Sequence, residues 1–359
     1  MKSRRMPRRE RKLRTRYLAG FGRVRSEFTR YSSLGLVSQI VEYLYHDFDL
    51  SSVEQLRKAP WVQSLLIKWI LTDPGYNENK PVLSLKQALK VMNKAWVLSG
   101  RARLPTEFTD TLLFMRAVGF QQLRFQVGIS PTQLARQRAL FGNLQENRRL
   151  KTDFLAAYGI NILDFLELSL AVVAKFESEP TPVVTRAFFD PLHSQFSSET
   201  IDRFLAAISI ELLDLRSYLT DVSPDHRVPE EFLEQTPLYR FPLLRQGGQF
   251  LCWYPTILYR CLETFIYDSL KAIDAARLMD RFGGIFEEYV VRAVEHSGVA
   301  YFVEEQLMPL LPESKCVDLI VLEAGGLIFI DAKGVEMADV AKSAHHPKII
   351  KDRTRSIQA

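Results

Sequence analysis

From Leu34 to about Thr220 the apolar residues recur at helical spacing. Leu36, Ile40, Tyr43 and Leu44 fit a 3.6-residue period, and so do Val62, Leu65, Leu66 and Trp69. Pro60 stands just ahead of the second set, where a proline suits a helix start. Ser84-Leu85-Lys86-Gln87 reads as a capping box opening the next helix. Further helices are expected near 105–117, 131–141, 145–157, 161–176 and 198–219. Asp73-Pro74-Gly75, Glu179-Pro180-Thr181-Pro182 and Ser223-Pro224-Asp225 supply the breaks. No internal repeat interrupts the pattern.

Around residue 237 the period changes. Leu238-Tyr239-Arg240-Phe241, then Gln246-Gly247-Gly248, then Gln249 to Tyr254 reads as a hairpin, with Pro237, Pro242 and Pro255 keeping its strands short. A helix from about Thr256 to Met279 should follow, with Ile257, Leu258, Cys261, Leu262, Phe265 and Leu270 on a wide apolar face. Phe286, Val290, Ala293 and Val294 form another helical stripe, and Gly298 is a suitable stop. Val299 to Leu307 is then expected as a strand containing Glu304 and Glu305.

The most informative stretch comes next. Cys316 to Leu322 and Leu327 to Lys333 are apolar runs flanking Glu323-Ala324-Gly325-Gly326, which predicts a second hairpin. If those four residues are the loop, Leu322 pairs with Leu327 and Asp318 falls opposite Asp331. Directly opposed residues have Cβ atoms about 4.5–5.5 Å apart, and like charges there repel. The period of two puts Lys333 on the face of Asp331 and turns Ala332 away. Two carboxylates and an ammonium therefore meet at one end of an otherwise apolar strand pair, and a cation between the carboxylates is the simplest way to stabilise them.

These residues carry a resemblance. Asp318 followed by Asp331-Ala332-Lys333 resembles the PD-(D/E)xK nuclease superfamily, with Val317 where the family name has Pro. Upstream, Gly284-Ile285-Phe286-Glu287-Glu288-Tyr289-Val290 is similar to the family's Phe-Glu helix, so Glu287 matches the helical acid. The resemblance covers residues 281–359. It implies a restriction-endonuclease-like αβββα core, a Mg²⁺ or Mn²⁺ cofactor held by Glu287, Asp318 and Asp331, and Lys333 as the catalytic cation. It also implies hydrolysis of phosphodiester bonds, with DNA ahead of RNA as substrate, in settings such as defence or mobile-element processing. The motif Asp331-Ala332-Lys333 is cheap alone. Glu10-Arg11-Lys12, Glu78-Asn79-Lys80 and Glu313-Ser314-Lys315 match it too, but none ends an apolar strand facing another Asp. Ala338 onward should form the second helix, broken near His346-Pro347, with a further helical piece from about Ile349 and with Gln358 where some members carry a Gln. The family's last strand has no residues left to form it, so the core is expected to be truncated.

Phosphodiester hydrolysis needs an activated water, a neutralised phosphate and a stabilised leaving oxygen, all of which a hard divalent ion on carboxylates provides. Lys333 can orient the water or offset transition-state charge. Glu304 and Glu305 are plausible extra ligands. His345-His346 is a surface pair, because adjacent helix residues point apart.

Charge refines the picture. Residues 1–30 hold twelve Lys or Arg against two acids, a balance of +10, and the other 35 basic and 40 acidic residues leave −5. Arg4, Arg5, Arg8, Arg9, Arg11 and Lys12 concentrate that charge into an arm expected to be disordered when free and suited to phosphate contacts. Gly128 to Arg136 has the look of a helix-turn-helix recognition segment, though an ordinary helical hairpin is the better account. Cys252, Cys261 and Cys316 show no metal or disulfide spacing, which suits a reducing, cytoplasmic setting. No apolar run is long enough for a membrane span, and the Arg-rich start has no secretory h-region.

The expected architecture is α+β: a basic arm (1–30), a large N-terminal α-helical domain (31–230), a β-hairpin with its connecting helix (231–280) and a nuclease-like C-terminal domain (281–359). The expected function is that of a metal-dependent endonuclease. The competing reading is a non-catalytic nucleic-acid-binding or assembly protein with a silent nuclease-like domain.

Overall fold

The structure is a computed structural model and describes residues 8–46, 56–102, 111–122, 125, 131–142, 148–222, 228–309, 316–334 and 351. The chain is α+β, rich in helix, with two small sheets. In order, the helices are α1 (Arg8–Phe28), α2 (Ser33–Tyr45), α3 (Pro60–Leu71), α4 (Leu85–Ser99), α5 (Thr111–Gln122), α6 (Pro131–Gln137), α7 (Arg148–Tyr158) and α8 (Ile162–Ser178). They continue with α9 (Ser198–Ile208), α10 (Leu212–Val222), α11 (Pro255–Ile273), α12 (Ala275–Ser297) and α13 (Glu304–Leu307). The strands are β1 (Val183–Val184), β2 (Ser209–Glu211), β3 (Leu243–Gln246), β4 (Gln249–Cys252), β5 (Tyr301–Val303), β6 (Leu319–Glu323) and β7 (Gly326–Ile330). Among the described residues, no single helix is long and apolar enough to cross a membrane.

The chain divides into two units, and neither is continuous in sequence. One takes Met1–Ile129, Ala171–Cys261 and Met337–Ala359; the other takes Ser130–Leu170 and Leu262–Glu336. The second unit thus joins the stretch Leu262–Glu336 to a helical segment borrowed from the middle of the chain, Ser130–Leu170.

In the first unit, Pro60 occupies the first turn of α3, and Gln87 Oε1 accepts from the Ser84 backbone N–H at 2.8 Å as the reciprocal half of the capping box. Trp69 on α3 meets Phe21 edge-on at 5.0 Å and Phe232 at 5.6 Å. Its sheet has the order β1-β4-β3-β2, with β2 parallel to β3 and the other pairs antiparallel. Gly247 and Gly248 turn the β3–β4 hairpin with φ of +56° and +79°, the paired left-handed conformation of a two-residue hairpin turn.

Three expectations in this unit are corrected. The basic stretch expected to be a disordered arm is helical from Arg8 to Phe28, because Tyr17, Phe21, Val24 and Phe28 form a stripe at helical spacing that is fully buried. The helix expected over 198–219 is broken by β2, where Ser209 pairs with Leu243. The first strand of the earlier hairpin is Leu243–Gln246, not Leu238–Phe241, since Pro237 opens a 3₁₀ turn instead.

In the second unit, α12 leads into the antiparallel sheet β5-β6-β7. Asp274 caps α12 by accepting from the Arg277 N–H at 3.0 Å, so this helix starts before Gly283-Gly284 and ends, as expected, at Gly298 with φ of +71°. The borrowed segment packs on α11 and α12. The buried Gln137 side chain donates to Leu262 O at 2.6 Å and accepts from Ile266 N–H at 3.1 Å. Arg292 donates to Ala139 O at 2.8 Å, Arg277 pairs with Asp153, and Phe141 stacks near Phe282. Gln133 to Arg136 thus lie on a helix of seven residues that runs into a π-helical turn, Arg138–Gly142. Arg4, Arg5, Gly128 to Ser130 and the segment from Ala338, with His345, His346 and Gln358, lie outside the described residues, Lys351 excepted.

Candidate metal centre

The hairpin that carries the candidate site has the expected register. Leu322 faces Leu327, and the ladder also includes Glu323 with Gly326, leaving Ala324-Gly325 as the turn. At the other end the last ladder pair is Leu319 with Ile330, so Asp318 and Asp331 are the next residues in register. An Asp318 carboxylate oxygen accepts a hydrogen bond from the Ala332 N–H, fastening the start of β6 to the segment after β7. Lys333 Nζ lies 2.7 Å from Asp331 Oδ2. That contact holds the Asp331 carboxyl below its ordinary range, with Asp318 adding a hydrogen bond, and holds the Lys333 ammonium above its own.

The strand expected over 299–307 stops at Val303. Gln306 Oε1 accepts from the Val303 N–H at 3.1 Å, and the chain turns into α13 with Glu304 as its first residue. The Glu304 N–H donates to Asp318 O at 2.9 Å, bringing the two acids to the same corner. Glu287 arrives from α12. It is half-buried, whereas its neighbour Glu288 is exposed and lies 3.7 Å from Arg292, which resolves which of the adjacent acids enters the site.

Carboxylate oxygens of Glu287, Glu304 and Asp318 lie within 4.8 Å of one another. Burial, followed by the charges of Asp318, Glu304 and Glu305, pushes the Glu287 carboxyl above its ordinary range. Burial and nearby like charge each disfavour an ionised carboxylate. The donor set is all oxygen and half-buried, which fits a hard divalent ion such as Mg²⁺ or Mn²⁺. Asp331 stands beside this cluster, engaged by Lys333, rather than within it. Glu304 was legible only as an extra ligand on a strand. Its signal was Gln306 at the third helical position, but Val at the cap position hides the motif from a search for Ser or Thr.

Comparison of the chain with protein-family models, curated proteins and solved structures returns no match.

Proposed function

We propose that the chain is a divalent-metal-dependent endonuclease with a restriction-endonuclease-like C-terminal unit. The observation that carries this reading is the convergence of Glu287 from α12, Asp318 at the start of β6 and Asp331-Ala332-Lys333 after β7 at one corner of the unit. Those are the parts on which the sequence resemblance rests, brought together from residues far apart in the chain. In this reading Glu287, Glu304 and Asp318 hold Mg²⁺ or Mn²⁺. A bound ion supplies neutralisation of the phosphate and a more acidic water. Asp331 orients Lys333 and keeps it charged, and Lys333, well exposed, reaches toward the attacking water or the phosphate oxygens. DNA ranks ahead of RNA, and a cytoplasmic setting with a role in defence or mobile-element processing suits such an enzyme.

The test is cleavage of supercoiled plasmid and of a structured RNA in Mn²⁺ and Mg²⁺ by the wild type and by Asp331→Ala and Lys333→Ala. Metal-dependent nicking lost in both variants, with circular dichroism unchanged, is the expected result. Undiminished cleavage in both variants defeats the assignment. Metal-independent binding with no cleavage by the wild type favours a silent nuclease-like domain on a nucleic-acid-binding protein.

A further inference from the structure

A second site lies in the first unit, where α3 meets the 3₁₀ turns Pro229–Leu233 and Pro237–Tyr239. These elements line a cavity of about 120 Å³. Trp61, Leu65 and Lys68 recur at helical spacing, so one face of α3 looks onto it. Phe125 stands beside both Trp61 and Tyr239, with ring centroids 6.3 Å from each, and the three rings line the cavity in a row. Val222 and Glu234, both exposed, mark its mouth.

The lining also carries an ion pair. Lys68, the only charged residue in the α3 sequence, places Nζ 2.5 Å from Glu231 Oε1, and Glu231 Oε2 accepts from the Trp69 ring N–H. Both side chains of the pair are more than nine-tenths buried. An ammonium has three donors, and a carboxylate has about four acceptor positions. Among the described residues, Glu231 is the one hydrogen-bond acceptor of the Lys68 ammonium, so two donors remain for an occupant of the cavity. Stability does not call for this arrangement, since a buried ion pair can often be replaced by apolar residues of similar volume without loss.

The charges narrow the occupant. A cation would meet the Lys68 ammonium. An anion would meet the Glu231 carboxylate, with Glu234 close enough to act on that carboxylate as well. A hydrocarbon would bury the spare Lys68 donors unsatisfied. What remains is a neutral group that accepts from Lys68 and donates to Glu231 through adjacent atoms, as the C=O and N–H of a lactam do. The row of rings suits a flat ligand face. A cavity of about 150 Å³ holds one benzene ring, so the space here is that of a single ring and not of a fused pair.

We infer that this cavity binds a single-ring aromatic lactam of the uracil type, with its face on the aromatic row, its C=O on Lys68 and its N–H on Glu231. A free base and the base of a nucleoside or nucleotide share this chemistry. The inference does not depend on the metal centre, and its test omits metal.

The experiment is isothermal calorimetry of the full chain in EDTA with uracil, uridine and 1,3-dimethyluracil. Uracil should bind. 1,3-Dimethyluracil, whose N–H groups are both blocked, should bind weaker by about tenfold or more, because a hydrogen bond to a charged group is lost. Uridine keeps one lactam N–H. Uridine binding as tightly as uracil supports the inference with a nucleoside or nucleotide as the source, and uridine excluded while uracil binds supports it with the free base. Trp61→Ala should weaken uracil binding about tenfold, within the range for base–aromatic stacking, and Trp61→Phe should retain most of it. The double variant Lys68→Met with Glu231→Gln leaves no buried charge without its partner. It should bind uracil weaker by about tenfold or more and no longer prefer it to 1,3-dimethyluracil. Circular dichroism confirms folding of each variant, and if the double variant does not fold, the wild-type comparison of the two uracils decides. The inference is overturned if neither uracil nor uridine binds the wild type at millimolar concentration, if 1,3-dimethyluracil binds as tightly as uracil, or if the folded Trp61→Ala and double variants bind uracil as the wild type does.

Discussion

The Asp318 carboxylate accepts a hydrogen bond from the Ala332 backbone N–H, so one acid of the candidate metal cluster also holds the segment that carries Asp331 and Lys333. Two properties of this side chain can be separated by substitution. Asn keeps an acceptor oxygen but not the charge, and Ala keeps neither. Asp318→Asn should cut Mn²⁺ affinity at least tenfold in calorimetry while leaving the melting temperature nearly unchanged. Asp318→Ala should lose the metal as well and also destabilise the fold by about 1–3 kcal/mol, the cost of charged-acceptor hydrogen bonds. Equal metal affinity in wild type and Asp318→Asn would remove Asp318 from the cluster.

Gly334 sets the distance between that same segment and α12. A Cβ at this position would come within 2.7 Å of Phe282 Cδ1 and 2.9 Å of Cε1. The Phe282 ring has little room to yield, since Tyr267 lies 5.1 Å away edge-on and Phe286 stacks at 6.1 Å. Gly334→Ala should therefore cost about 1–3 kcal/mol, typical of overpacking, and weaken Mn²⁺ binding by displacing Ala332, whose N–H holds the Asp318 carboxylate. Adding Phe282→Leu should recover both in chemical melts and calorimetry. A fully stable single variant with wild-type metal affinity would show that this contact does not position the site.

The raised Glu287 carboxyl makes a pH prediction. A carboxyl whose folded value lies above its unfolded one binds more protons in the folded state. In the metal-free protein, its contribution to stability is present below the ordinary value of 4.5 and is lost as pH rises from there through the raised folded value. Metal binding requires the carboxylate, so Mn²⁺ affinity should climb over the same window and release protons. Glu287→Gln should flatten the metal-free melting curve against pH in that window. A slope that persists in Glu287→Gln would assign the titration to another group.

In the first unit, Lys68 Nζ lies 2.5 Å from Glu231 Oε1, with side chains 6 % and 5 % exposed, and the Trp69 ring N–H donates to the other carboxylate oxygen at 3.1 Å. Burial nonetheless pushes the Glu231 carboxyl up. Lys68→Met should cost about 3–5 kcal/mol by leaving a buried charge without its partner. The double variant Lys68→Met with Glu231→Gln should recover most of this in urea melts, because Gln is neutral and still accepts from Trp69. A small loss in the single variant would mean that Glu231 simply takes up a proton.

Local signals in the sequence carried much of this structure. The β6–β7 register followed from counting outward from one loop, and Pro60, the Ser84–Gln87 box and Gly298 marked helix ends through their own backbone chemistry. The burial of α1 was masked because the stripe Tyr17, Phe21, Val24 and Phe28 lies among arginines whose charge dominates the composition. β2 is three residues whose only reason to be extended is the strand beside it, 34 positions later at Leu243. Glu304 was misplaced because the strand-to-helix switch at Val303 is marked locally only by Gln306, which accepts from the Val303 N–H, while the Glu304 N–H finds its partner at Asp318 O, 14 residues on.

The division of the second unit between Ser130–Leu170 and Leu262–Glu336 bears on how the candidate site could be transplanted or lost. A gene fragment starting at Arg281 would encode Glu287, Glu304, Asp318, Asp331 and Lys333, yet omit Gln137, Phe141 and Asp153, which pack or pair with α11 and α12 in the intact chain. Recombination that swaps only residues 281–359 would move the candidate site residues without the segments that brace them.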